Sequence, residues 1–209
     1  MTAHASHFED ARQEADAARL AVWILVVSEL LLFAGLFALY AATRAADPAA
    51  FVAGVHHMAK GLGTANTFVL LTSSLTAALA LAELRAARAG RAVAFIAVTL
   101  LFGAAFLVIK TVEYRGHLAE GLGPAMTARS DLPRATALFV TLYWLMTGLH
   151  ALHVVGGMTA FAWVGRRVVK GTVGAGRSHP LELVTVYWHF VDLIWIFLWP
   201  AFYLTGGGG

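Results

Sequence analysis

The stretch Tyr187-Trp-His-Phe-Val-Asp-Leu-Ile-Trp-Ile-Phe-Leu-Trp199 places a histidine and an acid three residues apart in an apolar, aromatic run. On a helix His189 and Asp192 share one face. The surrounding run from Leu181 to Leu204 is long enough to cross a bilayer. Ionisable groups at such depth face a protein interior or a cavity, where they pair or serve a functional path. The other segments are therefore read for what they bring to that face.

The composition supports a membrane setting. Of 209 residues, 59% are hydrophobic and only 13% charged, and the mean hydropathy is +0.72. A soluble domain of this size needs far more charge to cover its surface, so the chain reads as an integral membrane protein. Cysteine is absent, which excludes disulfides, thiolate zinc or iron–sulfur sites and a cysteine nucleophile within the chain. The net charge of +3 reflects scarce acids and arginines scattered among short loops, a pattern of membrane topology and not of nucleic-acid binding.

Five apolar segments follow a polar, mixed-charge tail at residues 1–19: approximately 20–43, 63–87, 91–115, 134–165 and 179–205. Each approaches or exceeds the ~20 residues that span hydrocarbon. The expectation is an all-α polytopic membrane protein, a single bundle of five transmembrane helices over 20–205, with a glycine tail at 206–209. The first apolar run is too long for the core of a cleavable signal peptide. Breakers fall between the segments, at Asp47-Pro48, Gly61 and Gly63, Gly90, Gly121 to Pro124, Pro133, Gly171 to Gly176 and Pro180. Connector Lys and Arg residues divide nine against five. Arg12, Arg19, Arg85, Arg88, Arg91, Arg166, Arg167, Lys170 and Arg177 oppose Arg44, Lys60, Arg115, Arg129 and Arg134. This bias puts the amino terminus in the cytoplasm and the carboxy terminus outside.

The polar residues inside the segments are the functional candidates. Glu29 lies near the middle of the first, and nothing in its own helix can pair with it. It must be protonated or find a partner on another helix, which makes it a candidate for a proton path or a lipid head-group contact. The second segment interleaves Thr64, Asn66, Thr67, Thr72, Ser73, Ser74 and Thr76 with leucine and alanine, a pattern that permits close helix packing. Lys110 and Glu113 near the end of the third can form an i,i+3 pair. With Tyr114, they read as snorkelling and interfacial residues at the outer surface.

The fourth segment carries His150 and His153 on one face, with Gly148, Gly156 and Gly157 allowing another helix to approach. Imidazole is a common metal and haem ligand, but a haem held by two histidines needs them on opposite sides of its plane. Pairing of His150 or His153 with Glu29 or Asp192 is the simpler account. His56-His57 in a connector carries no spacing information. There is no phosphate-binding glycine loop, zinc-protease motif or GxSxG elbow, so no self-sufficient active site is evident.

The segments SELLLFAGLFALY (28–40), NTFVLLTSSLT (66–76), VEYRGHLAEG (112–121), TGLHALHVVGG (147–157) and YWHFVDLIW (187–195) together resemble the heme-copper oxidase subunit III family, in the family's order and across all five spans. The resemblance implies the five-helix bacterial form of an accessory subunit in the bacterial plasma membrane, packed against subunit I, which holds the haems and copper, and beside subunit II. It implies no haem, copper or other metal in this chain, and bound phospholipid. Glu29 then corresponds to a buried carboxylate beside that lipid, while His150, His153, Trp188, His189 and Asp192 match signature positions. The implied role is support of oxygen reduction and proton pumping in a cytochrome c or quinol oxidase through lipid binding, oxygen access and sustained proton uptake. The alternative within the superfamily is an accessory subunit of nitric oxide reductase. Two further readings stand beside it: a di-haem protein using His150, His153 and His189, and a transporter using Glu29 and Asp192 as a proton relay, disfavoured by the lack of an internal repeat.

Overall fold

The computed structural model describes residues 11–56, 58–124 and 133–204; the beginning of the polar tail, His57, Arg129 and the glycine tail lie outside them. The elements are α1 (Ala11–Ala46), α2 (Pro48–His56), α3 (Lys60–Arg85), α4 (Ala89–Ala119), α5 (Arg134–Val169), a 3-10 turn (Ala175–Arg177) and α6 (His179–Trp199), which runs into a π-helical turn (Pro200–Leu204). No strand occurs among the described residues. Five helices are long and apolar enough to cross a membrane, as expected. The shortest spans cover 26 residues, or about 39 Å of rise against a hydrocarbon core of about 30 Å. The short α2 lies where the sequence suggests only a connector. It is held in place by Phe51, which packs edge-on against Tyr40 and Phe139 at centroid distances of 5.3 Å.

Three helix ends share one device. At Ala87, Gly121 and Gly171 the backbone turns left-handed, with φ of 60°, 76° and 71°. The next residue reaches back six-to-one, from Arg88 to Glu83, Leu122 to His117 and Thr172 to Arg167. These are Schellman closures, which satisfy carbonyls left open at a helix end. Ala87 performs the turn with a Cβ where its counterparts have none.

Helices α3 and α4 form a close hairpin over Ser73, Thr76, Ala77, Ala80, Ala92 and Thr99, all buried. The Thr76 and Thr99 hydroxyls meet across it at 2.8 Å. Small residues permit this approach, and the hydroxyl contact satisfies two groups that lipid cannot. Helix α6 packs on α1, α3 and α5, burying Trp188 and Trp195 completely. Their indole N–H groups donate to α3 hydroxyls, Trp188 to Ser73 at 2.9 Å and Trp195 to Thr67 at 3.1 Å. Buried indoles require such acceptors, so part of the hydroxyl pattern on α3 serves α6. Gly157 makes room for Trp188, because a Cβ there would lie 2.6 Å from the indole ring.

Candidate functional site: ionisable groups enclosed by the bundle

Three polar groupings lie within the spans. The first joins α1 to α5. Glu29 Oε2 stands 2.9 Å from His153 Nε2, with side-chain exposures of 19% and 14%. Oε2 makes no aligned hydrogen bond among the described residues, so the contact is a close approach of acid and imidazole. His153 Nδ1 lies 2.7 Å from the Leu149 carbonyl. A carbonyl only accepts, so Nδ1 carries a proton. The pair then has two neutral-sum forms, Glu-COOH with neutral imidazole or carboxylate with imidazolium. Either way no net charge sits at mid-span, which removes the main cost of an isolated carboxylate. The expected interhelical partner of Glu29 is thus His153, while Phe33 meets the imidazole edge-on at 5.7 Å. Tyr187 donates to the His153 carbonyl at 3.4 Å. It also lines an apolar cleft of about 320 Å³ with Val22, Leu25, Gly156, Ala160, Leu183 and Val184. Leu25 and Gly156 lie close to Glu29 and His153 in sequence, so the cleft opens beside the pair.

The second grouping corrects an expectation. Lys110 and Glu113 do form an i,i+3 pair, but they point inward, at 2% and 1% side-chain exposure, instead of snorkelling at the outer surface. Lys110 Nζ uses all three donors: 3.0 Å to Glu113 Oε2, 3.0 Å to the Tyr143 hydroxyl and 3.1 Å to the Tyr203 hydroxyl. Both tyrosines donate to Glu113 Oε1, at 2.7 and 2.6 Å. His117 Nε2 completes the acid's surroundings at 3.7 Å. All three ammonium donors and both carboxylate oxygens are thus engaged, which is what an ion pair removed from water needs. Tyr203 reaches the cluster because Pro200, lacking an N–H, interrupts the α6 ladder and the chain widens into the π turn. Gly63 leaves space for the Tyr203 ring, whose atoms lie 2.8 Å from where a Cβ would stand. Sequence reasoning does not single out Tyr143 and Tyr203 as members of this cluster. The available signal is a lysine and two phenols within otherwise apolar segments.

The third grouping lies between α3 and α6. Ser74 hydrogen-bonds His189 Nδ1, and the Ser74 hydroxyl also neighbours the Asp192 carboxyl. That carboxyl is buried, and neither oxygen has a hydrogen-bond partner among the described residues. His189 itself is exposed. His150 joins neither acid. It is fully buried between Trp195 and Phe106, at ring distances of 5.2 and 5.4 Å, with neither nitrogen hydrogen-bonded among the described residues. Among the described residues no three His, Cys, Asp or Glu side chains converge as a metal-ligand set.

These features define an all-helical, multi-pass membrane protein whose five spanning helices enclose Lys110, Glu113, His150 and Asp192 and leave His189 exposed. The sequence matches the family described as Cytochrome c oxidase subunit III over residues 4–207, and the chain belongs to that family, in agreement with the resemblance in its motifs. It is 32% identical over 182 residues to cytochrome c oxidase subunit 3 of Corynebacterium diphtheriae, covering 86% of this chain and 84% of the relative. With cytochrome c oxidase subunit 3 of Bacillus subtilis it shares 30% over 190 residues, covering 90% and 86%. Similarity extends to the cytochrome bo(3) ubiquinol oxidase subunit 3 of Pseudomonas aeruginosa, 28% identical over 194 residues, covering 88% and 83%.

Proposed function

We propose that the chain is the accessory third subunit of a bacterial haem-copper terminal oxidase, in the plasma membrane with its amino terminus cytoplasmic and residues 20–205 acting as one membrane domain. Its partners are the haem- and copper-bearing subunit I and subunit II. It holds no redox centre of its own and supports oxygen reduction and proton pumping by retaining phospholipid, easing oxygen access and sustaining proton uptake. Cytochrome c and quinol both fit as the electron donor, because oxidases of both kinds contribute relatives.

The observation that carries the lipid role is the Glu29–His153 pair beside the apolar cleft. The cleft walls suit an acyl chain, and the acid and imidazole one helical turn away give a polar group contacting lipid or water a place to hydrogen-bond. Asp192, His150 and Trp188 are structural supports of the same bundle in this reading, and His189 is its outward-facing member. The test is Glu29→Ala in the assembled complex. The haem spectrum stays that of the wild type, while tightly held phospholipid falls and turnover inactivates sooner. Unchanged lipid content, proton pumping and inactivation rate would return Glu29 to a packing role.

A further inference from the structure

Exposed leucine and phenylalanine are ordinary on a lipid-facing helix and identify no partner. An exposed imidazole halfway along a span is different. Among the described residues, His189 is the ionisable side chain that is exposed near the middle of a spanning helix; the other exposed ones lie toward helix ends. It sits about 15 Å beyond His179 and roughly 20 Å before Leu204 at 1.5 Å per residue, too deep for lipid head groups at either surface. Its partner Ser74 is likewise near the middle of α3.

His189 Nδ1 is engaged by Ser74, and Nε2 has no partner within the described chain, so one hydrogen-bonding position points out of the bundle at a depth where acyl chains offer none. Leaving it unmet costs free energy that a neighbouring helix would recover. Behind it the Ser74 hydroxyl and the enclosed Asp192 carboxyl form a polar column leading inward. By helical spacing Leu71, Leu193 and Ile196 share this face and are exposed, providing an apolar rim around the imidazole.

We infer that the α3–α6 face centred on His189 is the docking surface for a transmembrane helix of the large haem-bearing subunit, one that presents a hydrogen-bonding side chain at mid-span to His189 Nε2. This rests on the oxidase-subunit reading above, and the relatives' designation as third subunits of oxidases argues for an unlike partner over a second copy. The Glu29–His153 cleft remains free for lipid, because Tyr187 and His189 point to different sides of α6.

The test uses the assembled complex. A photo-crosslinking residue, Leu193→p-benzoyl-phenylalanine, is expected to join the chain to the haem-bearing subunit, whereas the same change at Leu152, exposed on α5, serves as the comparison. His189→Leu should lower retention of the chain on the complex by about tenfold, the loss of one desolvated hydrogen bond, and His189→Gln, which keeps a donor and an acceptor, should restore most of it. Crosslinks from position 193 only to phospholipid or to a second copy of the chain would overturn the inference. So would a His189→Leu chain retained as well as wild type. Failure of the wild-type chain to copurify with any haem-bearing subunit would instead remove the oxidase-subunit reading itself, and this surface assignment with it.

Discussion

Lys110 Nζ and Glu113 Oε2 are 3.0 Å apart and almost wholly enclosed, with two tyrosine hydroxyls bridging them. The lysine comes from α4, Tyr143 from α5 and Tyr203 from the turn that ends α6. One pair therefore fastens three segments near one end of the bundle. Its strength lies in completeness, since removing any member leaves a buried donor, acceptor or charge without a partner.

Lys110→Met is expected to lower the stability of the folded chain by about 3–5 kcal/mol, because the Glu113 charge then remains buried without its cation. Lys110→Met combined with Glu113→Leu should cost clearly less than the sum of the single changes. A double-mutant cycle by thermal or denaturant unfolding in detergent measures the coupling. Additive losses would show that the pair is not a unit.

Glu29→Gln should be milder than Glu29→Ala for stability. The glutamine amide can donate to His153 Nε2 while Nδ1 keeps its bond to Leu149, so the interhelical contact survives as a neutral one. A difference of about 1 kcal/mol, a typical hydrogen-bond contribution, is expected in unfolding of the two variants. Equal stability would indicate that the contact contributes nothing to α1–α5 packing.

Ala87→Gly is a stabilising change. Ala87 holds φ at 60°, where its Cβ costs about 1–2 kcal/mol that glycine avoids, partly offset by glycine's greater freedom in the unfolded chain. A rise in midpoint temperature is expected. A fall would mean that the α3–α4 turn relies on the alanine side chain.

Gly157→Val should do the opposite. The added Cβ would press on Trp188, itself fixed by Ser73, and overpacking of this kind costs typically about 1–3 kcal/mol. Shifted Trp fluorescence with lowered stability would mark the strain.

The spans are legible in the sequence because uninterrupted apolar runs of about 20 residues are rarely anything but membrane-crossing helices. The need of Glu29 for a distant partner is equally legible, since no residue of its own helix can serve it. The choice of His153 over His150 is not. Both lie on one side of α5, and only the position of α1 and the Trp195 ring decides which imidazole meets the acid. Lys110 and Glu113 show the same limit. Their i,i+3 spacing is the same whether they point to lipid, to head groups or inward, and the tyrosines that settle the matter lie 33 and 93 residues from Lys110 in sequence. Helix α2 is hidden for a related reason: a nine-residue apolar stretch beginning at Pro48 looks like a connector until Phe139 is placed beside it.

In the proposed function, electron chemistry belongs to another polypeptide of the complex. Optical spectroscopy of the chain produced alone, set beside the complex purified through the same chain, decides whether this division holds. Haem bands are expected in the complex and none in the isolated chain; a stoichiometric haem absorbance in the isolated chain would contradict it.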